Sequence, residues 1–154
     1  MSTSTLPRPL ALLLAVTAIL ACGSPEPGPE EPEADTAPAD VRAEAGETFA
    51  LGHGQRAVVG PARLEIVFRE VAEESRCPEG AECPTAGNAA IRFGVETSDG
   101  ATATITLNTH RRPREVTVLD HTIRLGEVEP YPDATAAPPD RGSYRATLTV
   151  EPTA

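Results

Sequence analysis

Three segments of this chain alternate apolar and polar residues with a period of two, and none carries the i, i+3, i+4 spacing of an amphipathic helix. Over residues 62–72, Leu64, Ile66 and Phe68 share one face while Glu65, Val67 and Arg69 take the other. Over 89–98, Ile91, Phe93 and Val95 alternate with Arg92, Gly94 and Glu96. Near the C-terminus, Tyr144, Ala146, Leu148 and Val150 alternate with Arg145, Thr147, Thr149 and Glu151. Successive side chains of a strand point to opposite faces, so each segment reads as a strand with one face on a core and one in water.

Weaker strand patterns cover 48–51, 55–60, 101–109, 114–119 and 121–128. Turn residues separate them. Ser98-Asp99-Gly100 is a hairpin signal, because Asp-Gly accepts the positive φ of a tight turn; Leu119-Asp120-His121 and Gly52-His53-Gly54 read as looser turns. The stretch 130–142 (PYPDATAAPPDRG) holds four prolines, which cannot join a central ladder, and reads as a long surface loop. The expectation is an all-β domain over 49–154: one β-sandwich, Ig-like in layout, of about seven or eight antiparallel strands. Its rings are few (Phe49, Phe68, Phe93, Tyr131 and Tyr144, with no Trp), so Leu, Ile and Val must carry the core.

The N-terminal part is built differently. Arg8 precedes an apolar run, 10–21, that closes as Ile19-Leu20-Ala21-Cys22. A basic start, a short apolar stretch and small residues at a cut make the layout of a secretory signal. At about 12 residues the run falls short of the roughly 20 needed to span a bilayer. With Cys after the cut, the segment resembles the lipobox of bacterial lipoproteins. An ordinary signal peptide with a chance Cys is the other reading of these residues. The resemblance implies cleavage before Cys22, a diacylglycerol on its thiol and, usually, an acylated amine; two or three acyl chains anchor a protein stably where one does not. Gly23-Ser24 rather than Asp after Cys22 implies, in a Gram-negative envelope, an outer-membrane address.

Residues 22–48 then read as the lipidated Cys and a tether. The stretch 23–40 (GSPEPGPEEPEADTAPAD) lacks Ile, Leu, Val and aromatic residues and is expected to stay disordered. Prolines and like charges would extend it to roughly 55 Å at about 3.1 Å per residue. From 23 to 48 there are eight acids and one Arg; from 49 to 154, fifteen acids and eleven Arg. The net charge of −10 therefore lies mostly in the tether. Nothing forms a basic footprint, which argues against nucleic-acid binding.

With Cys22 committed to lipid, Cys77 and Cys83 remain, in an exported compartment where disulfides persist. Their bridge would close a loop between two strands, worth about 2.4 kcal/mol by chain entropy. The Cys-x5-Cys spacing is not that of a redox motif or a zinc ribbon. The segment Ser75-Arg76-Cys77-Pro78 … Cys83 … Ala86-Gly87-Asn88-Ala89 resembles a pattern of small exported bacterial proteins of unassigned function, often lipoproteins, with an all-β domain centred on SRCP … C-x-x-A-G-x-A. Thr85 stands where that pattern commonly has an aromatic residue. The resemblance implies a fold and a compartment but no activity.

Catalytic motifs are absent from the sequence: there is no G-x-S-x-G, no H-E-x-x-H and no phosphate-binding glycine loop. Ser75 and Ser143 have no motif around them, and adjacent Glu73 and Glu74 project to opposite faces of an extended chain. His53, His110 and His121 are scattered, so neither a metal nor another cofactor is expected. The reading is a non-enzymatic module anchored to the membrane through Cys22, contacting an envelope protein or glycan through the disulfide loop. Arg76, Glu79 and Glu82 are the expected contacts, against a plain solvated loop in which Arg76 pairs with Glu73 or Glu74. A structural or protective lipoprotein without a ligand is the alternative. A further one is a protease inhibitor presenting Arg76 to a trypsin-like pocket.

Overall fold

The alternating segments become the two walls of a sandwich. The computed structural model describes residues 39–153 with the exception of 62. The signal segment, Cys22 and tether residues 23–38 lie outside the described residues. The strands are β1 (Val41–Ala43), β2 (Thr48–Gly52), β3 (Arg56–Val59), β4 (Leu64–Glu74), β5 (Ala89–Glu96), β6 (Thr102–Asn108), β7 (Glu115–Val118), β8 (His121–Glu129) and β9 (Arg145–Pro152). One 3-10 turn, Arg141–Ser143, precedes β9. A five-stranded sheet runs β1-β3-β4-β5-β6 and a four-stranded sheet β2-β9-β8-β7.

The inward faces are those given by the alternation. Leu64, Ile66 and Phe68 of β4, Ile91, Phe93 and Val95 of β5, and Ala146, Leu148 and Val150 of β9 are all buried. Phe68 and Phe93 are cross-strand partners in register. Their ring centroids are 5.5 Å apart, and the His53 ring meets Phe68 edge-on at 5.6 Å. Such ring pairs stabilise beyond the area they bury, which matters in a core with so few aromatics.

Three points depart from expectation. Among the described residues there are nine strands rather than seven or eight, and the added one is β1. It pairs parallel with β3, Val41 opposite Ala57, so the sheet is not wholly antiparallel. Ordered structure thus begins before the boundary placed at Phe49. Asp40 accepts two hydrogen bonds from Arg56, each of 3.1 Å, and the Ala39 carbonyl accepts one of 2.7 Å from the Gln55 amide. Three residues with one buried side chain, Ala43, are too few to show a period. The connectivity also has its own order: β3 to β6 run consecutively within one sheet and β7 to β9 within the other, whereas immunoglobulin domains alternate between sheets more often.

The turns are tight. Gly100 (φ 86°) closes the β5–β6 hairpin, as Asp-Gly predicted. Leu119 and Asp120 (φ 47° and 58°) make a two-residue turn between β7 and β8, the left-handed pair a right-twisted hairpin favours.

Candidate functional site

Strands β4, β6 and β8 end, and β5, β7 and β9 begin, at one end of the sandwich. The connections there are 75–88, 109–114 and 130–144. The first is fastened at its foot by its own backbone. The Ser75 amide donates to the Asn88 carbonyl at 2.8 Å and the Cys77 amide to the Ala86 carbonyl at 2.9 Å. Above these, Cys77 and Cys83 are bridged with Cα atoms 5.9 Å apart. Gly87 adopts φ 68°, and a Cβ there would sit 1.7 Å from the Ser75 carbonyl oxygen, so no other residue fits. Asn88 is wholly buried. Its amide nitrogen donates to Asn108 Oδ1 at 2.9 Å, and its Oδ1 accepts from the backbone amides of His110 and Arg111 at 3.2 and 3.3 Å. The disulfide loop and the β6–β7 connection are therefore one hydrogen-bonded unit.

Arg76, one of the expected contacts, is turned inward. It is 4% exposed. Its Nε donates to both Glu74 carboxylate oxygens at 2.9 and 3.1 Å, Nη2 donates to Glu74 and to the Pro130 carbonyl at 2.9 Å, and Nη1 donates to the Val128 carbonyl. The guanidinium also lies 4.7 Å from the Tyr131 ring centroid. One side chain thus ties the end of β4 to the end of β8, across the two sheets. Burial by itself lowers the Arg76 pKa, but the hydrogen-bonded Glu74 carboxylate and Tyr144 together outweigh it and the net displacement is upward. Desolvation, reinforced by the same carboxylate, pushes the Tyr144 hydroxyl up from its ordinary value.

A register shift between Val71 and Glu73 explains how Glu74 reaches this cluster. Strict alternation would set Val71 and Glu74 on opposite faces, yet both line the same groove. Glu73 turns outward to Arg111 and to the Ser75 hydroxyl, so the two neighbouring carboxylates have separate surroundings.

Glu79 and Glu82 are exposed, as a contact role requires. The Glu79 backbone is fixed: its amide donates to the Pro132 carbonyl at 2.8 Å and its carbonyl accepts from the Ala134 amide at 3.0 Å. This parallel bridge holds the disulfide loop against 130–144. Between the two loops lies a groove of about 480 Å³, with Pro78, Pro132, Pro138 and Tyr144 among its apolar walls and Arg141 among its polar ones. A second cleft of about 360 Å³ lies on the Tyr131 side.

Each histidine has separate surroundings: His53 packs on Phe68, His110 Nδ1 meets the Thr109 hydroxyl at 3.1 Å and His121 Nδ1 meets the Leu119 carbonyl at 2.7 Å. Sequence reasoning passed over Tyr131 and Arg141 as surface-loop residues. The available signal was an aromatic set between two prolines, Pro130-Tyr131-Pro132, which stiffen the backbone that presents it. Family models, curated proteins and solved structures were all compared with this chain, and none matches it.

Proposed function

We propose that this chain is a non-enzymatic lipoprotein of the bacterial envelope, held by lipid on Cys22 and addressed to the outer membrane. Its sandwich is a binding module whose recognition face is the loop-bearing end. The observation that carries the reading is that 75–88 and 130–144 are locked to one another through Arg76 and the Glu79 backbone, yet leave an open groove between them. Loops fixed before binding lose little entropy on binding, and rigid sheets that present loops are the usual seat of recognition. The partner is an envelope protein or glycan. Glu79 and Glu82 remain contact residues in this reading; Arg76 becomes the residue that positions the loops. The inhibitor alternative loses its basis, because a buried guanidinium cannot enter a protease pocket.

The test is in-cell photo-crosslinking from Glu82, with exposed Thr104 on β6 as control. A discrete adduct from Glu82 alone is expected; silence at both positions would favour a structural or protective role. Palmitate labelling tests the anchor separately, and continued labelling of Cys22→Ser would refute it.

A further inference from the structure

Tyr131 is the one large apolar side chain that the described residues leave exposed, at 42%. It is also among the most firmly seated. The Arg76 guanidinium lies beneath the ring at 4.7 Å and is itself held by Glu74 and the Val128 and Pro130 carbonyls. Pro130 and Pro132 flank it; Pro132 is buried and its carbonyl is fixed by the Glu79 amide. An exposed ring on an immobile base has little freedom left to lose when a ligand covers it.

The polar groups around the ring fit one ligand chemistry. The 360 Å³ cleft is lined by Tyr131, Glu79, Glu127, Glu129, His110 and Arg114, and its size is in the range of small-molecule sites. A further open hollow, with Ser143 and Arg145, lies along Glu129, Pro130 and Tyr131. Three carboxylates against one exposed guanidinium disfavour an anionic ligand. A wholly apolar ligand would leave those carboxylates desolvated without partners. A sugar ring has a face of C–H groups that lies on an aromatic ring, and an edge of hydroxyls that donate to carboxylates and accept from Arg and His.

We propose that the Tyr131 cleft is a subsite for a neutral glycan. Tyr131 stacks on the C–H face of a pyranose, Glu79, Glu127 and Glu129 accept from its hydroxyls, and Arg114 and His110 donate to its oxygens. The second hollow takes the next sugar of the chain. This rests on the reading of the loop-bearing end as a binding face, and names the partner class.

The test uses the purified full-length chain on an array of neutral hexose and N-acetylhexosamine oligosaccharides. Sialylated oligosaccharides and an oligolysine peptide serve as controls. Binding to neutral oligosaccharides is expected, with Tyr131→Ala weakening it about tenfold or more and Tyr131→Phe keeping it. The chain has two Tyr and no Trp, so in a Tyr144→Phe background near-ultraviolet absorbance changes on sugar binding report on Tyr131 alone. Binding only to oligolysine or only to sialylated sugars overturns the proposal, as does equal affinity of a folded Tyr131→Ala. A silent array beside a cellular adduct from Glu82 refutes the glycan assignment and spares the binding face; silence in both refutes the two together.

Discussion

Replacing Arg76 by Met keeps most of the side-chain volume and removes the guanidinium contacts that join the end of β4 to the end of β8. Three groups lose the guanidinium as donor, the Glu74 carboxylate and the carbonyls of Val128 and Pro130, while Glu74 Oε1 keeps the backbone amide of residue 76 at 3.1 Å. Breaking a buried ion pair by deleting one partner costs about 3–5 kcal/mol. The Glu74 side chain is 22% exposed, so water takes up part of the loss and its share falls to about 1–2 kcal/mol. The two carbonyls, left short of donors, add about 1 kcal/mol or slightly more. The sum reaches about 3 kcal/mol at its upper end, a large fraction of a typical domain's 5–15 kcal/mol. For a domain of this size that corresponds to a melting temperature lower by about 12 °C. Thermal denaturation measures the total, and hydrogen exchange at the Glu79 and Ala134 amides localises it. The double variant Arg76→Met/Glu74→Leu should recover part of the loss, because no unpaired charge remains. A single variant melting within about 3 °C of the parent, with the loop amides still protected, would refute the assignment of Arg76 as the residue joining the sheets.

Gly87→Ala should destabilise by more than about 2 kcal/mol, since a left-handed conformation and a contact with the Ser75 carbonyl act together; urea unfolding with an unchanged m-value measures this. Cys77→Ser should lower stability by about 2 kcal/mol, matched by the effect of reductant on the parent chain, and agreement between the two identifies the bridge as the cause. Because the folded state raises the Tyr144 pKa, it binds that proton more tightly than the unfolded chain does. The associated stability is full below the unfolded value of about 10 and is lost as pH rises through the folded one; Tyr144→Phe should flatten the alkaline limb of a stability–pH curve.

The fold was legible where a strand is long and single-sided. The patterns at 62–72, 89–98 and 144–151 became β4, β5 and β9, and the weaker ones at 48–51, 55–60, 101–109, 114–119 and 121–128 fall on the remaining strands after β1. What the sequence hid depends on contacts distant along the chain. β1 exists because an edge of β3 accepts it in parallel, and no local period announces that. The β4 bulges shift the alternation midway, so counting from Leu64 puts Glu70 inward and Val71 outward, the reverse of what is found; the second bulge restores the count before Glu74. Arg76 looked like an exposed loop cation because its acceptors, Val128 and Pro130, lie more than fifty residues further along the chain.

The disulfide loop divides its residues between two tasks, and the division follows the pattern that made it conspicuous. Ser75, Arg76, Gly87 and Ala89 are distinctive positions of SRCP … AGxA, Asn88 fills its unspecified position, and each of the five is used in building the loop. The Ser75 hydroxyl donates to Glu73 and accepts from the Asn88 backbone amide, Arg76 joins the sheets, Gly87 permits a close backbone approach, and Asn88 and Ala89 are buried. Glu79, Glu82 and Thr85 lie between those positions and are exposed. A sequence pattern of this kind specifies how the loop is held, while the residues inside it are free to decide what it meets. Under the proposed binding role, recognition would therefore fall to side chains the pattern does not name: the loop carboxylates, and Tyr131 on the neighbouring loop that Arg76 supports.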